Sequence, residues 1–198
     1  MNNDGRHTAH SKMHSFPIGQ LWKTNAEQVL DLDEPPMRDI LLYAVFSANT
    51  HPDRIGLQKH LANFPGALRT QGNRRISPEE NWRWLKRSQF VVSPWGAGPD
   101  CHRTYEAMVA GAIPIVKRHA GLDEIFHGEP VVILDQWSEL TPELLQSHKV
   151  AQLRNHSSAA WLPHWVAAMM PELNRVMGGT VGSSDGKSSD TSNAGNAT

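Results

Sequence analysis

Cysteine is almost absent: Cys101 is the only one in 198 residues. A single thiol excludes an intramolecular disulfide framework and a zinc site built from several cysteines of this chain. An excess of one charge is also lacking, with 19 Lys and Arg against 20 Asp and Glu and a formal net charge of -1. That balance predicts no nucleic-acid partner and no polybasic membrane contact. Long apolar runs are missing too. None approaches the ~20 residues of a membrane span, since Pro, Gly or a charge interrupts each one. The opening MNNDGRHTAHSKMH carries no apolar h-region, so no secretory signal and a cytoplasmic location are expected. What is present is the composition of a globular domain, 39% hydrophobic and 20% charged.

The ends differ from the middle. Residues 1–37 read as a polar N-terminal extension. From Gly178 the sequence runs GGTVGSSDGKSSDTSNAGNAT, which holds five of the 15 glycines and no apolar face to pack. Residues 178–198 are therefore expected to be a disordered tail. Between them, residues 38–177 read as one domain. Its short continuous apolar runs are Ile40–Phe46, Phe90–Val92, Ile113–Val116 and Val131–Leu134. Runs without polar alternation suit strands covered on both faces, as in a parallel sheet.

Helical patterns lie between these strands. SPEENWRWLKRS begins with Ser77 as N-cap, Pro78 at the first helical position and acids in the first turn. HRTYEAMVAG closes on Gly111, and TPELLQSHKVAQL repeats the Thr-Pro-Glu start. The alternation predicts a doubly wound, Rossmann-like α/β domain with helices on both faces. Leu-rich and Met-rich positions from Val150 to Met177 predict a last helix bracing the sheet.

The chemistry concentrates between Ser88 and Trp137. A strand ends at Ser93, a Pro-Trp-Gly-Ala-Gly-Pro loop follows, and then a helix begins. Ligands of open α/β sheets bind outside the carboxyl ends of strands, where helix N–H groups favour phosphate. Gly96 and Gly98 allow close backbone approach, or simply make a tight turn. Arg103 and Glu106, three residues apart, share one helix face. Arg forks suit a diphosphate and a carboxylate suits ribose hydroxyls; a plain surface ion pair has the same spacing. Lys117 and Arg118 follow a strand end, where they meet phosphate or solvent. Asp100 reads as an N-cap. Cys101, His102 and His119 show no metal-binding spacing, so no metal site is expected. Arg69 to Arg87 holds six basic and two acidic residues around Trp82 and Trp84. The pattern reads as an amphipathic helix with Trp82 and Leu85 inward and arginines in water.

The stretches S-x-F-V-V-S-P-W-G-x-G and C-H-R-T-Y-E-A-M-V-A-G-A-I-P-I-V carry a resemblance. They resemble the C-terminal, donor-binding part of exostosin-like glycosyltransferases of the GT-B type. In that family a strand and a Pro-x-Gly loop lead into Ser-x-Arg-x-x-Glu-Ala-x-x-x-Gly-x-Ile-Pro-Val. The segment L-D-Q-W looks like its Leu-Asp-Trp, and F-S-A-N-T-H-P-D-R like its first strand-to-helix loop. The likeness spans Ile40 to Leu145, with Cys101 standing where the family has Ser. It implies a glycosyltransferase-like protein that binds a UDP- or GDP-sugar as substrate, holds no tight cofactor, and transfers the sugar to a glycan or protein acceptor. It assigns the diphosphate to Arg103 and the ribose to Glu106. Asn49, Thr50 and Arg54 fall near the phosphates, Trp95 or Pro94 shapes the base or sugar pocket, and no catalytic base is identified. Only 39 residues precede Ile40, so a second chain is expected to supply the acceptor domain. The alternative is a non-catalytic nucleotide- or sugar-binding remnant, or an interaction module. Family members work in the Golgi and secretory pathway behind a membrane anchor, which becomes the expected location if the chain is a fragment.

Overall fold

Strand residues of this chain alternate between two buried faces, and that alternation sets the layering. The computed structural model describes residues 17–19, 37–69 and 76–148. The chain divides into two compact units, Met1–Trp165 and Val166–Thr198, and every described residue belongs to the first. The expected tail and the expected last helix lie outside the described residues. The elements run β1 (Ile40–Tyr43), α1 (Asp53–His60), β2 (Ala67–Leu68), α2 (Pro78–Arg87), β3 (Ser88–Val92), α3 (His102–Val109), β4 (Ile113–Lys117), α4 (Ala120–Asp123), β5 (Val132–Leu134) and α5 (Pro142–Ser147).

All five strands are parallel, in the order β2-β1-β3-β4-β5. Four strands coincide with the expected runs, although β1 stops at Tyr43 where the apolar run continues to Phe46. The fifth, β2, was not expected, because a two-residue strand carries no apolar run of its own. Gly66 makes the pairing possible. Its φ is +71°, and a Cβ there would lie 3.2 Å from the Leu41 Cβ, so only glycine lets the two strands close.

One face carries Leu42, Phe90, Val92, Ile113, Ile115, Val132 and Leu134 against Leu57, Leu61, Trp137 and Leu145. The opposite face carries Tyr43 and Val91 against Trp82, Leu85 and Ala107, with Tyr105, Met108 and Val116 continuing it. Helices therefore cover both sides, and the chain is a Rossmann-like α/β domain. Among the described residues, no helix is long and apolar enough to cross a membrane.

The caps follow the sequence. The Ser77 side chain accepts from the Glu80 amide and the Thr141 side chain from the Leu144 amide, each with Pro just inside the helix. Gly111, just past α3, has φ +71°, as a left-handed helix stop requires. On α2, Trp82 and Leu85 face inward while Arg83 and Arg87 are exposed. At the amino edge of the sheet, Arg38 donates to the carbonyls of Lys86, Ser88 and Ala110 and ties α2, β3 and α3 together.

Candidate functional site

The chain leaves β1 for β2 on one side and returns to β3 on the other, so the strand order reverses between β1 and β3. At such a reversal the loops after the two strands part and open a crevice. The loop after β1 enters α1; the loop after β3 enters α3. Arg54, in the first turn of α1, joins the two. Its Nε donates to the Trp95 carbonyl (2.6 Å), Nη2 to that of Pro94 (2.8 Å) and Nη1 to that of Ser47 (3.0 Å). Burial, with a smaller contribution from nearby Arg103, lowers its pKa from the usual arginine value. Arg54 thus shapes the crevice through carbonyl oxygens of both loops.

Gly96 sits against this guanidinium. A Cβ there would meet Arg54 Nη2 at 3.3 Å and Cys101 Sγ at 3.6 Å. Gly98 has open space around it. Cys101 donates to the Pro94 carbonyl at 3.1 Å, and burial pushes its thiol pKa up, which makes it a packing group rather than a nucleophile. Asn49 and Thr50 are exposed on a short 3-10 turn after β1.

Helix α3 begins on the far side of the β3 loop. Cys101 is its N-cap residue and makes no side-chain cap bond, so Asp100 is not the cap. Its carboxylate turns inward instead, where Oδ2 accepts from the Tyr105 hydroxyl (2.9 Å) and the Ile18 amide (2.8 Å). Burial raises the Asp100 pKa above the usual carboxylate value, and its Oδ1 is buried with no partner among the described residues. His102 Nδ1 donates to the Gly19 carbonyl at 2.7 Å, so residues 17–19 dock beside the helix start. The Ser93 and Thr104 hydroxyls, 2.8 Å apart and buried, pin β3 to α3.

Arg103 and Glu106 form an ion pair, Nε to Oε2 at 3.3 Å, with side chains 26% and 10% exposed. The Glu106 carboxylate is therefore buried, and Arg103 is partly so. Arg103 Nη1 also donates to Asn81 Oδ1 at 2.7 Å, and its guanidinium lies 5.2 Å from the centre of the Tyr43 ring. The Tyr43 hydroxyl donates to the same Asn81 oxygen at 2.8 Å. Neither Tyr43 nor Asn81 was picked out from sequence. Tyr43 hides in an apolar strand run. Asn81 carried one signal, as an amide among the inward residues of an amphipathic helix, four positions before Leu85.

Lys117 lies elsewhere along the carboxyl edge. It pairs with Asp53 Oδ2 at 2.8 Å and stands 5.4 Å from the centre of the Trp95 ring. Trp95 Nε1 donates to the Lys117 carbonyl at 3.3 Å, and His51 and His119 meet the indole edge-on at 5.8 and 5.5 Å. Arg118 pairs with Asp135 and Asp123. Sequence reasoning named Lys117 without its partner, because Asp53 is 64 residues away.

The loops after β1, β3 and β4 thus bring Arg54, Gly96, Arg103 and Lys117 to the carboxyl edge of the sheet, with Arg103 paired to Glu106 and Lys117 to Asp53. The family model described as the RXYLT1 C-terminal domain matches residues 68–180, more than half of the chain. No curated protein matches it.

Proposed function

The chain belongs to the RXYLT1 C-terminal domain family, an exostosin-like glycosyltransferase family, and from that premise we propose that it binds a nucleotide-sugar donor for transfer of the sugar to an acceptor. One observation carries the reading: Arg103, Glu106 and the start of α3 stand beside the β1/β3 reversal, where Arg54 fixes the loops. The guanidinium of Arg103 grips the donor diphosphate, and the amides at the start of α3 add donors. Glu106 takes the ribose hydroxyls. When the glycosidic bond to phosphate breaks, negative charge grows on the departing diphosphate. Donors already held in place by Asn81 and Tyr43 stabilise that charge without further reorganisation. Arg54 positions this apparatus, since its own donors face backbone carbonyls. The donor is a substrate and no tightly held cofactor takes part. A glycan or protein acceptor approaches from across the crevice, on a second module.

Calorimetric titration of the full chain with UDP- and GDP-sugars tests this. Saturable binding of at least one, competed by its nucleoside diphosphate, is expected. Heats indistinguishable from dilution for every donor at millimolar concentration would overturn it.

A further inference from the structure

A segment distant in sequence docks at the start of α3. The Ile18 amide donates to Asp100 Oδ2 at 2.8 Å, and His102 Nδ1 donates to the Gly19 carbonyl at 2.7 Å. We propose that residues 17–19 are an autoinhibitory strap, which keeps the start of α3 closed until an anionic ligand displaces it. The proposal rests on the donor-binding reading for the identity of that ligand and concerns how the same site is regulated.

The strap is held by its backbone. Asp100 and His102 flank Cys101, the N-cap residue of the eight-residue helix α3. The two bonds therefore straddle a helix start, where unpaired amides favour negative charge. Pro17 is buried, whereas the Ile18 side chain is 50% exposed. Gly19 has φ +69°, a left-handed conformation that a β-branched residue rarely adopts. Glycine here lets the chain bend so that its carbonyl meets the imidazole.

The bonding makes the strap a competitor of an anion. A carbonyl only accepts, so His102 Nδ1 carries a proton, and the Gly19 oxygen occupies a donor that a phosphate oxygen would use. The strap thus places an uncharged acceptor where the ligand brings a charged one, and charge-assisted bonds are the stronger. Release is also inexpensive for Asp100. Its Oδ1 is buried with no partner among the described residues, while Oδ2 accepts from Tyr105 as well as from Ile18. When the strap lifts, Asp100 keeps Tyr105 and gains water. Apparent affinity falls by the fraction of chains in which the site is free, so loosening the strap should tighten binding.

Two variants loosen it without altering α3. Ile18→Pro removes the amide donor, and Gly19→Val disfavours the left-handed bend. Ile18→Ala keeps the amide and serves as control. Each full chain is titrated by NMR with pyrophosphate, UDP and GDP, following the His102 ring and the residue-19 amide. Before any ligand is added, the His102 ring signals should move in the first two variants and stay in place in the control. Pyrophosphate should shift the wild-type His102 and Gly19 signals. It should bind both loosened variants tighter than the wild type by about fivefold or more, the worth of one net hydrogen bond. UDP or GDP should follow the same order. Equal affinity in all four chains, or weaker binding by the loosened variants, would overturn the strap as an inhibitor. So would pyrophosphate binding that leaves the wild-type Gly19 amide unmoved, or no pyrophosphate binding to any chain. Displacement by pyrophosphate with no binding of either nucleotide keeps the strap and removes the donor reading; nucleotide binding of equal strength in every chain does the reverse.

Discussion

Gly96 and Arg54 are packed so closely that a single methyl group at Gly96 would press on the guanidinium, 3.3 Å from Nη2. Arg54 cannot easily yield, because three backbone carbonyls hold it. Gly96→Ala should therefore destabilise the protein by about 1 kcal/mol, within the usual range for point substitutions. With Arg54→Ala already in place, the same change should have no effect. A double-mutant cycle by urea unfolding should show coupling of at least about 0.5 kcal/mol. Strict additivity would contradict the contact.

Asn81 accepts from both Tyr43 and Arg103. Asn81→Leu keeps much of the volume but strands two sheltered donors, each at a cost of about 1–3 kcal/mol. A loss of at least 1 kcal/mol is expected in chemical denaturation. It should be accompanied by weaker nucleotide binding, since Arg103 loses a guide. Stability and binding both within error of the wild type would remove the network from the account.

Asp100 gives a pH signature. Burial raises its folded pKa above the usual carboxylate value, so the folded state holds the proton more tightly than the unfolded chain. Its contribution is most favourable below the ordinary carboxylate pKa and is lost as pH rises through the elevated folded value. Asp100→Asn keeps an acceptor for Tyr105 and Ile18 but cannot ionise. Relative to that variant, the wild type should become less stable between acid and neutral pH. Parallel melting temperatures across that window would rule this out.

Much of this was legible in the sequence for a local reason. Ile113–Val116 and Phe90–Val92 are buried on both faces, so their unbroken apolar runs reveal a parallel sheet directly. The Ser77 and Thr141 caps are local bonds with local signals. Strand β2 was not legible, because two residues carry no period and the pairing depends on the Gly66 conformation. Of the site, Arg103 and Glu106 were found as neighbours three apart on one helix. The Lys117–Asp53 pair and the Tyr43–Asn81 bond join residues distant in sequence, which only the fold brings together. Asp100 was misjudged because a capping residue and a buried carboxylate look alike until Tyr105 supplies the inward partner.

Binding of a nucleoside diphosphate by Arg103 and Glu106 at the start of α3 is the proposal on which the donor reading depends. Its most direct test is NMR titration of the full chain with UDP and GDP, repeated on Arg103→Ala and Glu106→Ala. Saturable shifts at Gly96–Glu106 are expected for at least one nucleotide. A charge-assisted contact contributes about 1.5–3 kcal/mol, so Arg103→Ala should weaken binding at least tenfold. Glu106→Ala should weaken nucleoside and diphosphate forms alike. If neither nucleotide shifts a signal in that segment at millimolar concentration, the pair is a structural ion pair and the donor site is not here.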